Sequence, residues 1–400
     1  MDEARIIHDL RNGVNQKGLR DHNERLILTV LQRNGPMPGS EIARRTHLSA
    51  QTVSVILRKL EADGLLLKGE PVRGKVGKPF VPMALNARGA LSVGFKLGRR
   101  RAELALTDLE GRVLHERALS YDVALPRVIF DFIRSGLDAV LAAVGPSEAA
   151  KICGIGIAAP FEIWKWDEAG RDAEEDFLSW KDVSFEAELA RYTDLPVFMV
   201  NDATSACWAE HVYGRGRAFS DYAYLYVSTF IGGGIVLGQS VWEGPHGNAG
   251  AFGAMRVGDR TGQVRPLLEV ASIQGLEIRL AAAGSDPRAL WTDPQDWSGF
   301  PDAVTDWIDE TAHAIAGACV SACAVIDFEA VMIDGYLPPE VRSRLVARVA
   351  HHLPGFDSRG LIVPQIVEGS MGRDARAIGA ACGPIYAQYF LGPKGGRQDL

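Results

Sequence analysis

The sequence predicts an α/β protein headed by a winged helix-turn-helix, and three observations predict it. Three short helical segments and a strand fill the first ninety residues, strands and helices alternate after Asn86, and the charge changes sign between the two parts. Residues 1–90 hold 15 Lys and Arg against 9 Asp and Glu, a net of +6; the remainder holds 28 against 41, a net of −13. A basic head on an acidic body predicts that the head alone meets a polyanion. A chain of 400 residues exceeds one ordinary core and calls for two or three domains.

The composition, 47% hydrophobic and 23% charged, is that of a soluble globular protein. Five cysteines (Cys153, Cys207, Cys319, Cys323 and Cys382) are scattered and odd in number, and the N-terminus carries charges without an apolar run. The expected home is a reducing cytoplasm, with no membrane partner. The most apolar stretch, 312–333, is interrupted by His313 and Asp327 and rich in small residues, so it reads as a buried helix followed by a strand.

In the head, NERLILTVLQRNG places Leu26, Ile27, Val30 and Leu31 at helical spacing, with Asn34-Gly35 as a stop. Gly39-Ser40 opens a short second helix with Ile42 and Ala43 apolar. After the Leu48-Ser49 turn, Ser49 is placed to cap a third helix, AQTVSVILRKLEADG. Val53, Ile56, Leu57 and Leu60 form its apolar stripe, Gly64 ends it, and residues 65–67 begin a strand. The third helix is expected in a DNA major groove, with Ser49, Gln51, Thr52, Ser54 and Arg58 as candidate contacts. Gln pairs with adenine and Ser or Thr with bases or phosphates. The competing reading is a helical bundle used for protein contacts.

The following loop, EPVRGKVGKP, sets Arg73, Lys75 and Lys78 among glycines and proline. Such an extended basic wing suits a narrow minor groove, and a solvated linker is the alternative.

In the body, LSVGFKLG, RAELALTDLEG and RVLHERALSY read as three strands, followed by a helix over 126–144 and the strand KICGIGIAAP. A helix near 185–193 and the strand–turn–helix PVFMVNDATSACWAEHVYG come next, then two strands around a turn in YAYLYVSTFIGGGIVLG.

Asn201-Asp202, the Gly232-Gly233-Gly234 turn, GPHGNAGAFG, the Glu269-Val270-Ala271-Ser272 string and the late Ile378-Gly379-Ala380-Ala381, in this order, resemble the ROK family of repressors and sugar kinases. The resemblance runs from about residue 20 to about residue 390. It implies a two-lobed, actin-like (ribonuclease H-like) sugar-kinase fold. The expected domains are a winged helix-turn-helix over 1–85, a first lobe over 86–200 completed by a helix about 374–392, and a second lobe over 201–373.

By that resemblance Asp202 stands at the catalytic base position and Asn201 beside it as a sugar contact. The rest of the kinase apparatus departs from the pattern. Lys96-Leu97-Gly98-Arg99-Arg100 replaces the family's Asp-x-Gly-x-Thr loop and puts a cation where magnesium needs a hard oxygen ligand. Ser228-Thr229-Phe230 replaces Gly-Thr-Gly, and Asp334-Gly335 replaces a late Gly-Gly. The zinc-binding cysteine cluster is missing from MRVGDRTGQVRPLLEVAS, and the sugar-binding Glu and His read Ala251 and Ala254. Cys319 and Cys323, one helical turn apart, are expected in core packing. Neither cofactor nor metal is expected.

Asn201, Asp202, His246 and Glu269 remain as ligand anchors. Lys96, Arg99 and Arg100 read as solvated surface charge, with an anionic ligand as the alternative. Of the eight tryptophans, Trp164 and Trp166 sit in an insertion after Pro160 and Trp242 precedes the Gly-rich loop, with packing or interface use expected and stacking on a sugar ring as the alternative. The leading expectation is a homodimeric regulator, a repressor of carbohydrate-related genes that binds a palindromic operator on double-stranded DNA and answers a sugar-like effector. An active sugar kinase with an appended DNA-binding domain and a constitutive regulator with a dimerisation-only body are the alternatives.

Overall fold

A computed structural model of the chain describes residues 16–72, 80–160, 163 and 178–391. These fall into two compact units: the head to Ala90 together with Tyr386–Leu391, and the body from Leu91 to Ile385.

The head opens with α1 (Gln16–Asn34), which starts upstream of the NERL run, followed by α2 (Gly39–Thr46) and α3 (Ala50–Ala62). Gly35 and Gly64 stop α1 and α3 in the left-handed region, at φ 76 and 74°. Val53, Ile56, Leu57 and Leu60 are all buried, as the stripe predicts. Each buried aliphatic side chain stabilises the head by about 1.5–3 kcal/mol. An ion pair from Lys59 Nζ to Glu24 (2.6 Å) ties α3 to α1. The wing pairs β1 (Leu66–Lys68) with β2 (Met83–Leu85) in antiparallel register, extended by a Val72–Phe80 bridge. Tyr386–Leu391 belong to this unit: Arg25 donates to the carbonyls of Tyr386 and Ala387, and the Leu391 amide donates to Thr29 Oγ1.

The body repeats one sheet plan twice. The first sheet runs β5-β4-β3-β6-β7, from β3 (Leu91–Leu97), β4 (Arg101–Asp108), β5 (Val113–Ser120), β6 (Ile152–Ala159) and β7 (Val197–Asn201). The second runs β10-β9-β8-β13-β14, from β8 (Tyr222–Val227), β9 (Gly232–Leu237), β10 (Ser240–Trp242), β13 (Ala330–Gly335) and β14 (Gln365–Glu368). In each, three antiparallel strands are followed by two that run parallel to the first. A small hairpin, β11 (Arg256–Gly258) with β12 (Val264–Pro266), completes the strands.

Helix α4 (Pro126–Ala149) covers the first sheet with Ile129, Phe132, Ile133 and Leu137, and its regular path breaks at Gly145. The next helix, α5 (Phe185–Leu189), is shorter than the 185–193 segment expected. The chain turns away at Thr193, whose hydroxyl accepts from the Leu195 amide. Helix α6 (Asp202–Tyr213) follows β7 directly. The second core gathers α7 (Leu267–Val270), α8 (Ile273–Ala282), α9 (Pro301–Cys323) and α10 (Pro339–His352) around Trp297 and Trp307. Cys319 and Cys323 are buried in that core as packing residues. Among the described residues no helix is long and apolar enough to cross a membrane.

The glycine triplet 232–234 is not a turn. It forms the first half of β9, because a Cβ on Gly234 would lie 2.5 Å from Cys207 Cβ, and one on Gly232 would lie 2.8 Å from Ala203 Cβ. Absent side chains let α6 lie directly on the strand. The closing helix α11 (Ala375–Tyr389) uses the same device. Cβ atoms on Gly94 and Gly156 would fall 2.0 and 1.7 Å from the carbonyls of Ala377 and Ala380, and one on Gly379 would fall 1.7 Å from Ser205 O. Its first turns therefore press against both β3–β6 and α6.

Candidate functional site

The head presents a polar face on α3. Ser49 Oγ accepts from the Thr52 amide at 3.0 Å and lies 2.8 Å from the Thr52 hydroxyl, so both side chains serve the helix start as expected of an N-cap. Gln51, Ser54, Val55 and Arg58 are exposed on the side opposite the buried stripe. Arg58 Nε donates to Ser54 O at 3.2 Å, which lays the guanidinium along the exposed face. Arg73, Lys75 and Lys78 lie outside the described residues, as do Trp164 and Trp166. Two basic side chains missed in the sequence, Arg44 and Arg45, sit exposed on α2 and both bond Glu41. Those two hydrogen bonds, Arg44 first, hold the Glu41 carboxyl down to about 2. The signal was available in EIARRT, where positions three and four apart share a helix face.

Removing the cap should be felt locally. Ser49→Ala is expected to destabilise α3 by about 1 kcal/mol, read as faster hydrogen exchange of the α3 first-turn amides and weaker DNA binding.

The body holds a cavity of about 160 Å³. Much of its wall is the chain just past the C-terminal ends of the strands, where open α/β sheets gather ligands. Gly98–Arg100 follow β3, Pro160 follows β6, Asp202 and Ala203 follow β7, Ser228–Ile231 follow β8 and Tyr336 follows β13. Both segments aligned with the family's phosphate loops thus line the same pocket. Trp291 and Arg376 close it.

Lys96 and Arg99 are not solvated, contrary to the surface-charge reading. They are 3% and 6% exposed, because β3 is the central strand of its sheet and its end is roofed by residues from α11 and the β8 loop. Lys96 Nζ donates to Arg101 O at 3.2 Å and stands 3.6 Å from Glu103 Oε2. Burial above all, and the neighbouring Arg376 charge, lower the Lys96 ammonium to about 8, against the opposing pull of Glu103 and Asp202. Arg99 lies over the Phe230 ring, 4.6 Å from its centroid, so the phenylalanine serves as a cation platform.

Asp202 lines the pocket, with Oδ2 bonded by Arg376 Nη1 at 3.0 Å. Arg376 also donates to Ser228 Oγ at 2.9 Å and lies over the Tyr226 ring at 5.0 Å. Of the other predicted anchors, Asn201 turns its Oδ1 to the Ala203 and Thr204 amides at 3.0 and 3.2 Å as the cap of α6. His246 and Glu269 are exposed, and neither lines this cavity; Ala251 and Ala254 are exposed as well. Trp242 is 46% exposed.

Arg376, Glu103, Tyr226, Trp291 and Tyr336 were missed in the sequence. Arg376 alone carried a signal: a charged residue in the small, apolar run ARAIGAACG must find a buried partner. Asp334, at the expected adenine-side position, is committed to structure. It accepts from Tyr224 Oη, Arg342 Nη1 and the Gly335 and Gly372 amides at 2.8–3.1 Å.

Comparison with known proteins agrees with both units. A family model described as the ROK family matches residues 92–382, and one described as winged helix-turn-helix DNA-binding matches residues 20–66. An uncharacterized protein of Sinorhizobium fredii is 26% identical over 375 residues, 92% of each chain. The xylose repressor of Bacillus subtilis is 23% identical over 235 residues, covering 59% of this chain and 60% of the repressor. Among solved structures, a ROK family transcriptional regulator homologous to the Escherichia coli MLC protein shares the fold at a TM-score of 0.65 and 20% identity, over 93% of this chain and 97% of that one. A ROK family glucokinase from Streptomyces griseus, in complex with glucose and AMPPNP, matches at 0.57 and 23% identity, over 73% and 98%.

Proposed function

The chain belongs to the ROK family and joins to that domain a winged helix-turn-helix, and from this premise we propose that it is a sugar-responsive transcriptional repressor rather than a kinase. The observation that carries the reading is the α3 face, where Gln51, Ser54 and Arg58 project into solvent from a helix anchored by four buried aliphatic residues. That face reads operator DNA, with Ser49 and Thr52 setting the helix start and Arg73, Lys75 and Lys78 supplying the wing. A homodimer sets the spacing of two such helices on a palindromic site. The repressor names among its relatives support this assignment. Selection from a random duplex pool by the full chain tests it: an inverted repeat should emerge, and a pool without any enriched motif would sink the reading.

The body binds the effector in the pocket around Asp202; Asn201, which caps α6, and the exposed His246 and Glu269 do not line that cavity and are not among the groups that hold the effector there. A ligand that prefers one arrangement of the body shifts the repressor between its DNA-binding states. Magnesium-nucleotide does not fit the residues present. Lys96, Arg99 and Arg101 stand where hard oxygen ligands are needed, and the one carboxylate among the described lining residues, Asp202, is held by Arg376. ADP release in a coupled assay across a hexose and pentose panel should stay at background. Turnover that disappears in Asp202→Asn would establish a kinase instead.

A further inference from the structure

We propose that the ligand of this pocket is a small hydroxylated anion, a sugar acid or sugar phosphate, whose charged group sits against Lys96 and Arg376. The inference rests on the ligand-responsive reading above and names the chemical class of that ligand.

Size comes first. A volume of about 160 Å³ is close to that of an engineered cavity of about 150 Å³ that holds benzene, so the pocket accommodates one six-membered ring with a small substituent. Chemistry follows from the walls. Trp291, Tyr336 and Phe230 line the pocket with aromatic rings, and Asp202, Ser228 and Thr229 bring oxygens that can partner hydroxyls.

The described lining is rich in cations, with Lys96, Arg99, Arg100, Arg101 and Arg376 against one carboxylate, Asp202. Lys96, Arg101 and Arg376 are served by two carboxylates, Glu103 and Asp202. Glu103 lies closer to Arg101 (3.1 Å) than to Lys96 (3.6 Å), and Asp202 is engaged by Arg376. Asp293 stands 4.0 Å from Arg101 and is bonded by Arg373 at 2.9 Å, which Asp374 also faces at 3.4 Å. Arg376 is buried, and its Nε has no hydrogen-bond partner among the described residues. A buried ammonium that shares its carboxylate, Glu103 at 3.6 Å, with Arg101 is incompletely compensated and costly. A bound carboxylate or phosphate adds a second counterion, and guanidinium groups suit both by paired hydrogen bonds.

Protonation links to this binding. The groups facing Lys96 are Glu103 and Arg101 on β4, Asp202 on α6, Arg376 on α11 and the Tyr336 ring, 5.9 Å away, after β13. The ammonium of Lys96, lowered to about 8, must be charged to hold the anion. Affinity for an anion of constant charge is therefore full below that value and falls as pH rises through it, by up to about tenfold per pH unit.

Isothermal titration of the full chain with glucuronate, glucose 6-phosphate and glucose tests the proposal. At least one anion should bind about tenfold or more tightly than glucose, and which one does so separates carboxylate from phosphate. Lys96→Met should weaken that anion by about 10- to 100-fold and flatten the decline from pH 7 to 9. Arg376→Met should weaken it similarly, and Lys96→Met keeps the test decisive if the arginine variant does not fold. Glucose binding as tightly as both anions, or an anion affinity unchanged in Lys96→Met, would overturn the proposal while leaving a sugar-responsive repressor in place. If none of the three binds while the selected duplex is still held, the proposal and the effector reading fall together and only DNA binding stands.

Discussion

Replacing Gln51 and Arg58 together by alanine should abolish sequence-specific DNA binding and leave the fold intact. Both residues project from α3 opposite the buried Val53, Ile56, Leu57 and Leu60, and Ser49 still caps the helix in the variant. Alanine is a better helix former than either, so the helix itself loses nothing. A good base contact is worth about 1–3 kcal/mol, so two lost contacts cost on the order of 2–6 kcal/mol, or thirtyfold and more in affinity. Fluorescence anisotropy against the selected duplex measures this. A salt titration then separates the roles: a lost phosphate contact reduces the salt slope by about one, while a lost base contact leaves the slope and relaxes the preference at one position. Unchanged affinity in the double variant would place DNA recognition elsewhere on the head.

The second large effect concerns stability. Asp334 is fully buried and accepts hydrogen bonds from Tyr224, Arg342 and the Gly335 and Gly372 amides. Arg342 retains Glu368 at 2.9 Å, but Asp334→Ala leaves the buried Tyr224 hydroxyl and two backbone amides facing an empty space. Breaking one side of such a buried pair costs about 3–5 kcal/mol. For a unit of this size that corresponds to a fall in melting temperature on the order of 10 °C, checked by calorimetry. A shift below about 2 °C would show that the network contributes little to the fold.

Sequence reasoning succeeded where local physics decides. The α3 stripe, the Ser49 cap and the glycine stops of α1 and α3 depend on spacing and on backbone preference within one turn, and all appear as read. It failed where burial is conferred by distant segments. Lys96 and Arg99 looked solvated because KLGRR is a charged stretch; α11, some 280 residues later, and Phe230 of the β8 loop, some 130 residues later, are what enclose them. The glycines 232–234 looked like a turn because glycine signals turns locally, whereas their use is to admit Cys207 and Ala203 of a neighbouring helix. Asp202 was legible by resemblance, but its partner Arg376 lies 174 positions away, and nothing near Asp202 points to it. Asn201 shows the converse: its side chain is occupied in starting α6, a local role that any Asn ahead of a helix can take.

The central claim is that occupancy of the body pocket governs DNA binding by the head. Its most direct test is the affinity of the full chain for its selected duplex, measured by anisotropy with and without a saturating amount of whichever sugar compound binds in titration. Allosteric coupling energies of about 1–3 kcal/mol correspond to roughly 5- to 150-fold. The account predicts a weakening of at least fivefold that disappears in Lys96→Met. An operator affinity that stays constant with the pocket filled would contradict it.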